Sequence, residues 1–291
     1  KVAPAQKPKP VGTVLKGFKG SGTADDPFLI ENENQFSRLE DPAVGQADYC
    51  FLQTVDLDFG EIQNSSLIEA FKGVYNGGGC SIKGSNKNLR NVFSEIKESA
   101  IQRLNLHNIR LSSSLRKSEV NDCSVILKGF TLSKGSGCSG LALTLSSAKI
   151  RNFLVNFSNI KGGCEAQSTG MNIWGGSMFQ TNSIAKESGF AFGVASYGSG
   201  LIESCFIGSF DVKGVAADSV SRIVGSSEKI KLSNNFSLTK FGSDEDSQGG
   251  NGQTIPSKSM DQNFFEHNLG WDFDIIWEWD SKAKQPKLRK S

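Results

Sequence analysis

With 291 residues, the chain is long enough for one extended β-domain or two ordinary ones, and only 37% of it is apolar. Its 32 Lys plus Arg against 30 Asp plus Glu leave a net charge of +2, without the basic stripe expected of a nucleic-acid binder. No run of 18 apolar residues is present to span a membrane as a helix, and two histidines with six cysteines lacking a C-x-x-C pair argue against a conventional zinc site. No cofactor is expected.

Residues 1–19 hold Pro4, Pro8 and Pro10 among lysines with no acid, the composition of an extended leader. Opening on Lys1, the chain reads as a processed or excised form. Pro27 sets the entry to a strand at Phe28 to Ile30, and Asn32 can cap a helix that includes Phe36 and Leu39. A strand follows from Cys50, with Phe51, Thr54 or Val55, and Leu57 facing inward. Asn76-Gly77 predicts a tight turn between two short strands.

Beyond residue 80 a short pattern recurs, beginning at Ile101, Val120, Ile150, Met178, Ile202 and Ile230, with separations of 19, 30, 28, 24 and 28 residues. Each copy has an apolar start, polar residues often including Asn, and then alternating apolar positions. Periods of this length predict a solenoid, in which each coil buries its apolar side only against its neighbours. Gly-rich apolar segments at Ser139, Thr169, Ser188 and Ser221 supply further strands, giving two or three per coil. The 32 glycines suit turns, and 20 Phe against 3 Tyr suit a narrow core that demands no hydrogen-bond partners. Asn105, Asn108, Asn152, Asn156, Asn159, Asn234 and Asn235 fall near strand ends, where stacked amides can bond along the solenoid.

The stretch Phe241 to Gln253 reads as a loop. Asp244, Glu245 and Asp246 offer oxygens to Ca²⁺ but lack EF-hand spacing, so a solvated loop is the competing reading. Trp271, Phe273, Ile275 or Ile276, Trp277 and Trp279 partly alternate with acids, the pattern of a strand laid on another surface, here expected to cap the open end of the coil. The expected division is a leader at 1–19, an entry module at 20–70, repeats at 71–242, and a loop with a Trp-rich cap at 243–291. The six cysteines allow at least one bridge in an exported protein, with Cys138 and Cys164 flanking one repeat and Cys50 and Cys80 another stretch; the alternative is that several are small buried core residues.

Three stretches resemble the GLUG-motif proteins of bacteria: GSGTADDPFLIENENQFSRL from Gly20, FKGVYNGGGCSIKG from Phe71, and LGWDFDIIWEWDSKAKQPKL from Leu269. The motif itself is degenerate, clearest at Gly189 to Gly193 and at Ile223 to Gly225, where Arg222 replaces the first glycine. The resemblance implies an all-β, right-handed parallel β-helix that is secreted or displayed on the cell surface, with no family-wide catalytic residue to transfer.

The expected function is therefore a non-catalytic extracellular β-helix, an adhesin or a structural subunit of a bacterial surface assembly. It would bind a host or neighbouring-cell glycan or protein, or other subunits of that assembly, through its flank and through loops 161–177 and 241–256. Homo-oligomerisation is compatible with this reading. Trp174, Tyr197 and Phe210 are the candidate ligand platform. The rival is a polysaccharide lyase or glycoside hydrolase, which needs carboxylates on neighbouring coils. Asp122, Glu203 and Asp211, with Lys149, Arg151 and Lys213 as cationic partners, are the residues available, and they do not recur at one position. His107 and His267 read as structural, since no acid–nucleophile pair accompanies them.

Overall fold

The computed structural model describes residues 15–61, 63–85, 89–132, 137–162, 172–174, 177–179, 190–192, 194–213, 220–221, 223, 229–238 and 252–291. The chain is all-β, and among the described residues three short α-helices accompany a dominant 18-stranded sheet. Its strands pair in parallel with segments one repeat away in sequence, which fits a solenoid-like stack.

The register resolves into three faces. On the first, Phe28, Phe51, Tyr75, Ile101, Val120, Ile150, Ile202 and Leu232 are successive ladder partners. On the second the column runs Leu57, Ile82, Leu106, Val125, Val155, Ile207, Ser237 and Thr254. The third stacks Phe71, Ile96, Leu115, Leu145 and Gly198. Side chains from all three faces meet in one buried core.

Between the first and second faces, the residue two places after the column member takes a positive φ in five successive coils: Arg103, Asp122, Asn152, Ser204 and Asn234. This left-handed conformation is one that Asn adopts readily, whereas other side chains pay roughly 1–2 kcal/mol for it. The amides bond along the stack as expected. Asn152 Nδ2 donates to Asp122 Oδ1 at 2.8 Å, and Asn235 Nδ2 to the Ile202 carbonyl at 2.9 Å.

The N-terminal module matches expectation in outline. Strand Phe28–Ile30 leads into helix Glu33–Ser37, where Asn32 Oδ1 accepts the Gln35 N–H at 2.9 Å. Phe36 inserts among Phe59, Tyr75 and Phe93. The parallel ladder, however, already begins at Phe28 rather than near residue 71, and at its other end it continues to Gln253–Thr254. Thr54 and Val55 are exposed instead of inward. Gln53 takes the inward place, accepting the Tyr75 hydroxyl at 2.8 Å and donating to the Ser81 carbonyl at 3.0 Å. Asn76-Gly77 does turn the chain, but from one parallel face to the next, since strands Gly73–Asn76 and Ser81–Lys83 pair with other coils and not with each other.

Two repeat assignments need correction. Met178 starts no coil. It pairs with Ile173 in an antiparallel hairpin of Asn172–Trp174 with Ser177–Phe179, while Ile150 stacks directly on Ile202 across 52 residues. Ile230 sits opposite Gly200, so Leu232 occupies the column position instead. Where the strand Ala195–Glu203 passes a register shift between Leu145 and Ala148, Gly198 and Gly200 have φ of +137° and +144°. A Cβ at either would strike a carbonyl oxygen of the preceding coil.

The cysteines follow the core reading. Cys50, Cys80, Cys123 and Cys205 are buried and outside any disulfide, so no Cys50–Cys80 bridge forms. Cys50 lies opposite Val74 on the first face, whereas Cys80 precedes the second-face strand of the next coil. By register, Cys80, Leu104, Cys123, Phe153 and Cys205 form one inward column in which small and large side chains alternate. Its cysteines are two coils apart, about 9–10 Å, beyond the reach of a disulfide. Burial pushes the Cys205 thiol up to about 12. Cys164 and the side chain of Cys138 lie outside the described residues.

Candidate functional surface

The C-terminal segment defines the most elaborated surface. After Thr254 the chain leaves the stack and forms helix Gln262–His267, capped by Asp261, then a hairpin of Trp277–Asp280 with Gln285–Leu288. This segment does not cap the open end of the coil. It runs back across successive coils as a strap over the outer side of the second face, because that side presents Leu154, Phe206 and Phe236 to it. These three join Phe265, Trp271, Phe273, Trp277 and Leu288 in an apolar cluster separate from the main core. The rings of Trp271 and Trp277 stack at 4.4 Å.

The strap is pinned coil by coil to the left-handed corner. Asn234 Nδ2 donates to the Asn268 carbonyl at 2.6 Å, and Trp271 Nε1 to the Ser204 carbonyl at 2.9 Å. Trp277 Nε1 donates to Asp122 Oδ1 at 3.3 Å, and Arg103 Nη2 to the Arg289 carbonyl at 3.0 Å. The end is tied by Ser291 N to the Gly78 carbonyl at 2.9 Å and by a 2.9 Å ion pair of Lys290 with Asp56. Gly79 allows the close approach: at φ +79°, a Cβ there would collide with the Arg289 carbonyl.

Beside the strap lies a groove of about 340 Å³. Ile126, Leu238 and Met260 give it apolar walls, and Asn156 and Gln285 meet across it, with Nδ2 to Oε1 at 3.3 Å; Lys284 stands at its rim.

The carboxylates proposed for sugar chemistry are placed apart. Asp122 is held beneath the strap, where burial raises its pKa against hydrogen bonds from Asn152 and Trp277. Glu203 pairs with Arg151 at 3.0 Å, and Lys149 with Glu119 at 2.8 Å. Asp211 and Lys213 belong to strand Phe206–Lys213, and Lys213 is in register with Lys161. His107 is half-buried, and burial together with Lys83 lowers its pKa. His267 Nδ1 lies 3.1 Å from the Asn263 carbonyl. Among the described residues, neither histidine is hydrogen-bonded to a Ser, Cys or carboxylate side chain.

The aromatic trio is distributed over three elements. Trp174 belongs to the antiparallel hairpin, Tyr197 to the third face opposite Thr144, and Phe210 to the second face opposite Phe157. Their side chains, and Asp244, Glu245 and Asp246 entirely, lie outside the described residues. The sequence reading passed over Arg103 and Ser204 in the corner and Asp272 in the strap; for the two corner residues the usable signal was a constant offset of two residues from each repeat's column position.

No protein-family model and no curated protein matches this chain. Among solved structures, the chain is similar to a Bacteroides ovatus protein described as a candidate immunoglobulin A1 protease, with 15% identity and a TM-score of 0.52. The match covers 93% of this chain and 94% of that one. At this identity the likeness concerns the fold.

Proposed function

We propose that the protein is a right-handed parallel β-helix of the GLUG-like kind, displayed outside the cell, that works as a non-catalytic binding or structural element of a bacterial surface. The observation that supports this reading is the employment of its acids. Glu119 and Glu203 neutralise cations on the adjoining ladder, and Asp122 is half-buried and hydrogen-bonded to Trp277 of the strap. A polysaccharide-cleaving site would require two such groups free, facing each other across a substrate. The hairpin of Asn172–Trp174 with Ser177–Phe179, which falls in sequence between two directly paired coils, is a natural element for contacting a partner.

A peptidase reading has one specific observation in its favour, the description of the Bacteroides ovatus neighbour. Both readings are tested together by presenting the full chain to a glycan array and to immobilised immunoglobulin A1, with reducing-sugar release and antibody fragmentation followed in parallel. Binding without product supports the proposal. Sugar or antibody fragments released in a time-dependent way overturn it. Light scattering at high concentration then distinguishes a lone adhesin from a self-assembling subunit.

A further inference from the structure

The groove beside the strap is opened by one missing side chain. On the second face, the residue after each column member forms by register a row of its own: Lys83, His107, Ile126, Asn156, Gly208 and Leu238. The strand Phe206–Lys213 bulges there, since Val155 pairs with Ile207 but Asn156 with Ser209, and Gly208 is the extra residue. A Cβ on Gly208 would lie 2.5 Å from Asn156 Oδ1, so any other residue would push that amide aside. The gap between Asn156 and Leu238 becomes the floor of the groove. Its volume of about 340 Å³ falls within the range of small-molecule sites, about 300–1,000 Å³.

The strap supplies the other wall. Asp280 Oδ1 accepts the N–H groups of Lys282 and Ala283 at 3.0 and 2.9 Å, and Lys284 takes a φ of +52°. The turn so fixed lays Ala283, Lys284 and Gln285 along the groove. Gln285 Oε1 accepts from Asn156 Nδ2, which leaves Gln285 Nε2 as an unspent donor. No acid lines the groove. Among the described residues Lys284 has no ion-pair partner, whereas Lys287 of the same hairpin is held by Glu278 at 3.0 Å. We propose that this groove is a subsite for a carboxylate-bearing sugar. Lys284 takes the carboxylate, Gln285 Nε2 donates to a ring hydroxyl, and Ile126, Leu238 and Met260 pack against the C–H face of the ring. The subsite presupposes the extracellular binding role proposed above and gives that role a ligand class.

A sugar suits this groove better than an acidic peptide does. The backbone of its floor is already spent on the ladder, in the pairs Val155–Ile207 and Ile207–Ser237. The hairpin strand beside it carries Pro286, which has no N–H to offer an added strand. A peptide laid there would bury its own N–H and C=O groups without partners. A pyranose brings hydroxyls that both donate and accept, so it can be met by side chains alone.

The test is calorimetric titration of the full chain with sialyllactose and with trigalacturonate, each against its neutral counterpart, lactose and galactotriose, and with an Asp/Glu-rich peptide. At low salt an acidic sugar is expected to bind severalfold more tightly than its neutral counterpart, with a preference that shrinks as salt is raised. Lys284→Gln, at an exposed position, should abolish the preference, and Gln285→Ala should weaken acidic and neutral sugars alike. Equal affinity for acidic and neutral sugars overturns the subsite, as does binding of the peptide in place of the sugars. If the glycan array shows a ligand that Lys284→Gln and Gln285→Ala bind as the wild type does, the subsite fails and the binding role stands. If the chain binds no glycan and no protein, the binding role fails and takes the subsite with it.

Discussion

The interior of the stack and the underside of the strap are both dry and aromatic, yet they are built on different principles. The interior repeats itself: each coil places an apolar residue at a fixed register, so a side chain such as Ile150 contacts its counterparts Val120 and Ile202 above and below. The strap cluster has no period. It brings Leu154, Phe206 and Phe236, which the ladder turns outward, against tryptophans from a segment that adds no ladder strand to the stack beyond Thr254. A periodic core tolerates a register shift within one coil, as between Leu145 and Ala148. A unique cluster depends on each of its few large members.

Substitutions separate the two. The largest effect belongs to Phe93→Ala in the interior, where the ring packs 5.0 Å from Phe71 and 6.1 Å from Phe36. A loss of about 3–5 kcal/mol in urea unfolding is expected, shared by all probes of the stack. Trp277→Ala should cost about 3 kcal/mol within the strap, but circular dichroism of the sheet should persist while hydrogen exchange rises across 262–291. Loss of the sheet signal would show that strap and stack fold as one unit. Tyr75→Phe removes the hydroxyl that Gln53 accepts in the interior, with an expected loss of about 1–3 kcal/mol from the amide left unpaired. Lys290→Ala breaks an exposed pair and should change stability by less than about 1 kcal/mol, an effect that vanishes in high salt and in acid below the lowered Asp56 range.

The starts at Ile101, Val120, Ile150 and Ile202 were legible because inward positions in a stack must all be apolar, even where the coils between them differ in length. Ile230 was misplaced by two residues for a physical reason: alternate residues of a strand face the same way, so Ile230 and Leu232 are equally apolar choices. Cys80, Cys123 and Cys205 showed the opposite difficulty. Their parity suggested bridges, while their role as small members of a column that also holds Leu104 and Phe153 depends on register alone.

Composition and periodicity were sufficient for an all-β chain of parallel, repeat-spaced strands, because burial of one face per coil is a local demand written into every repeat. The course of the strap and its union with the left-handed corner depend on contacts such as Trp277 to Asp122 and Arg103 to Arg289, between residues 155 and 186 positions apart. Nothing in the local pattern at either end names its partner, so these contacts exist only once the coils are stacked and the flank is in place.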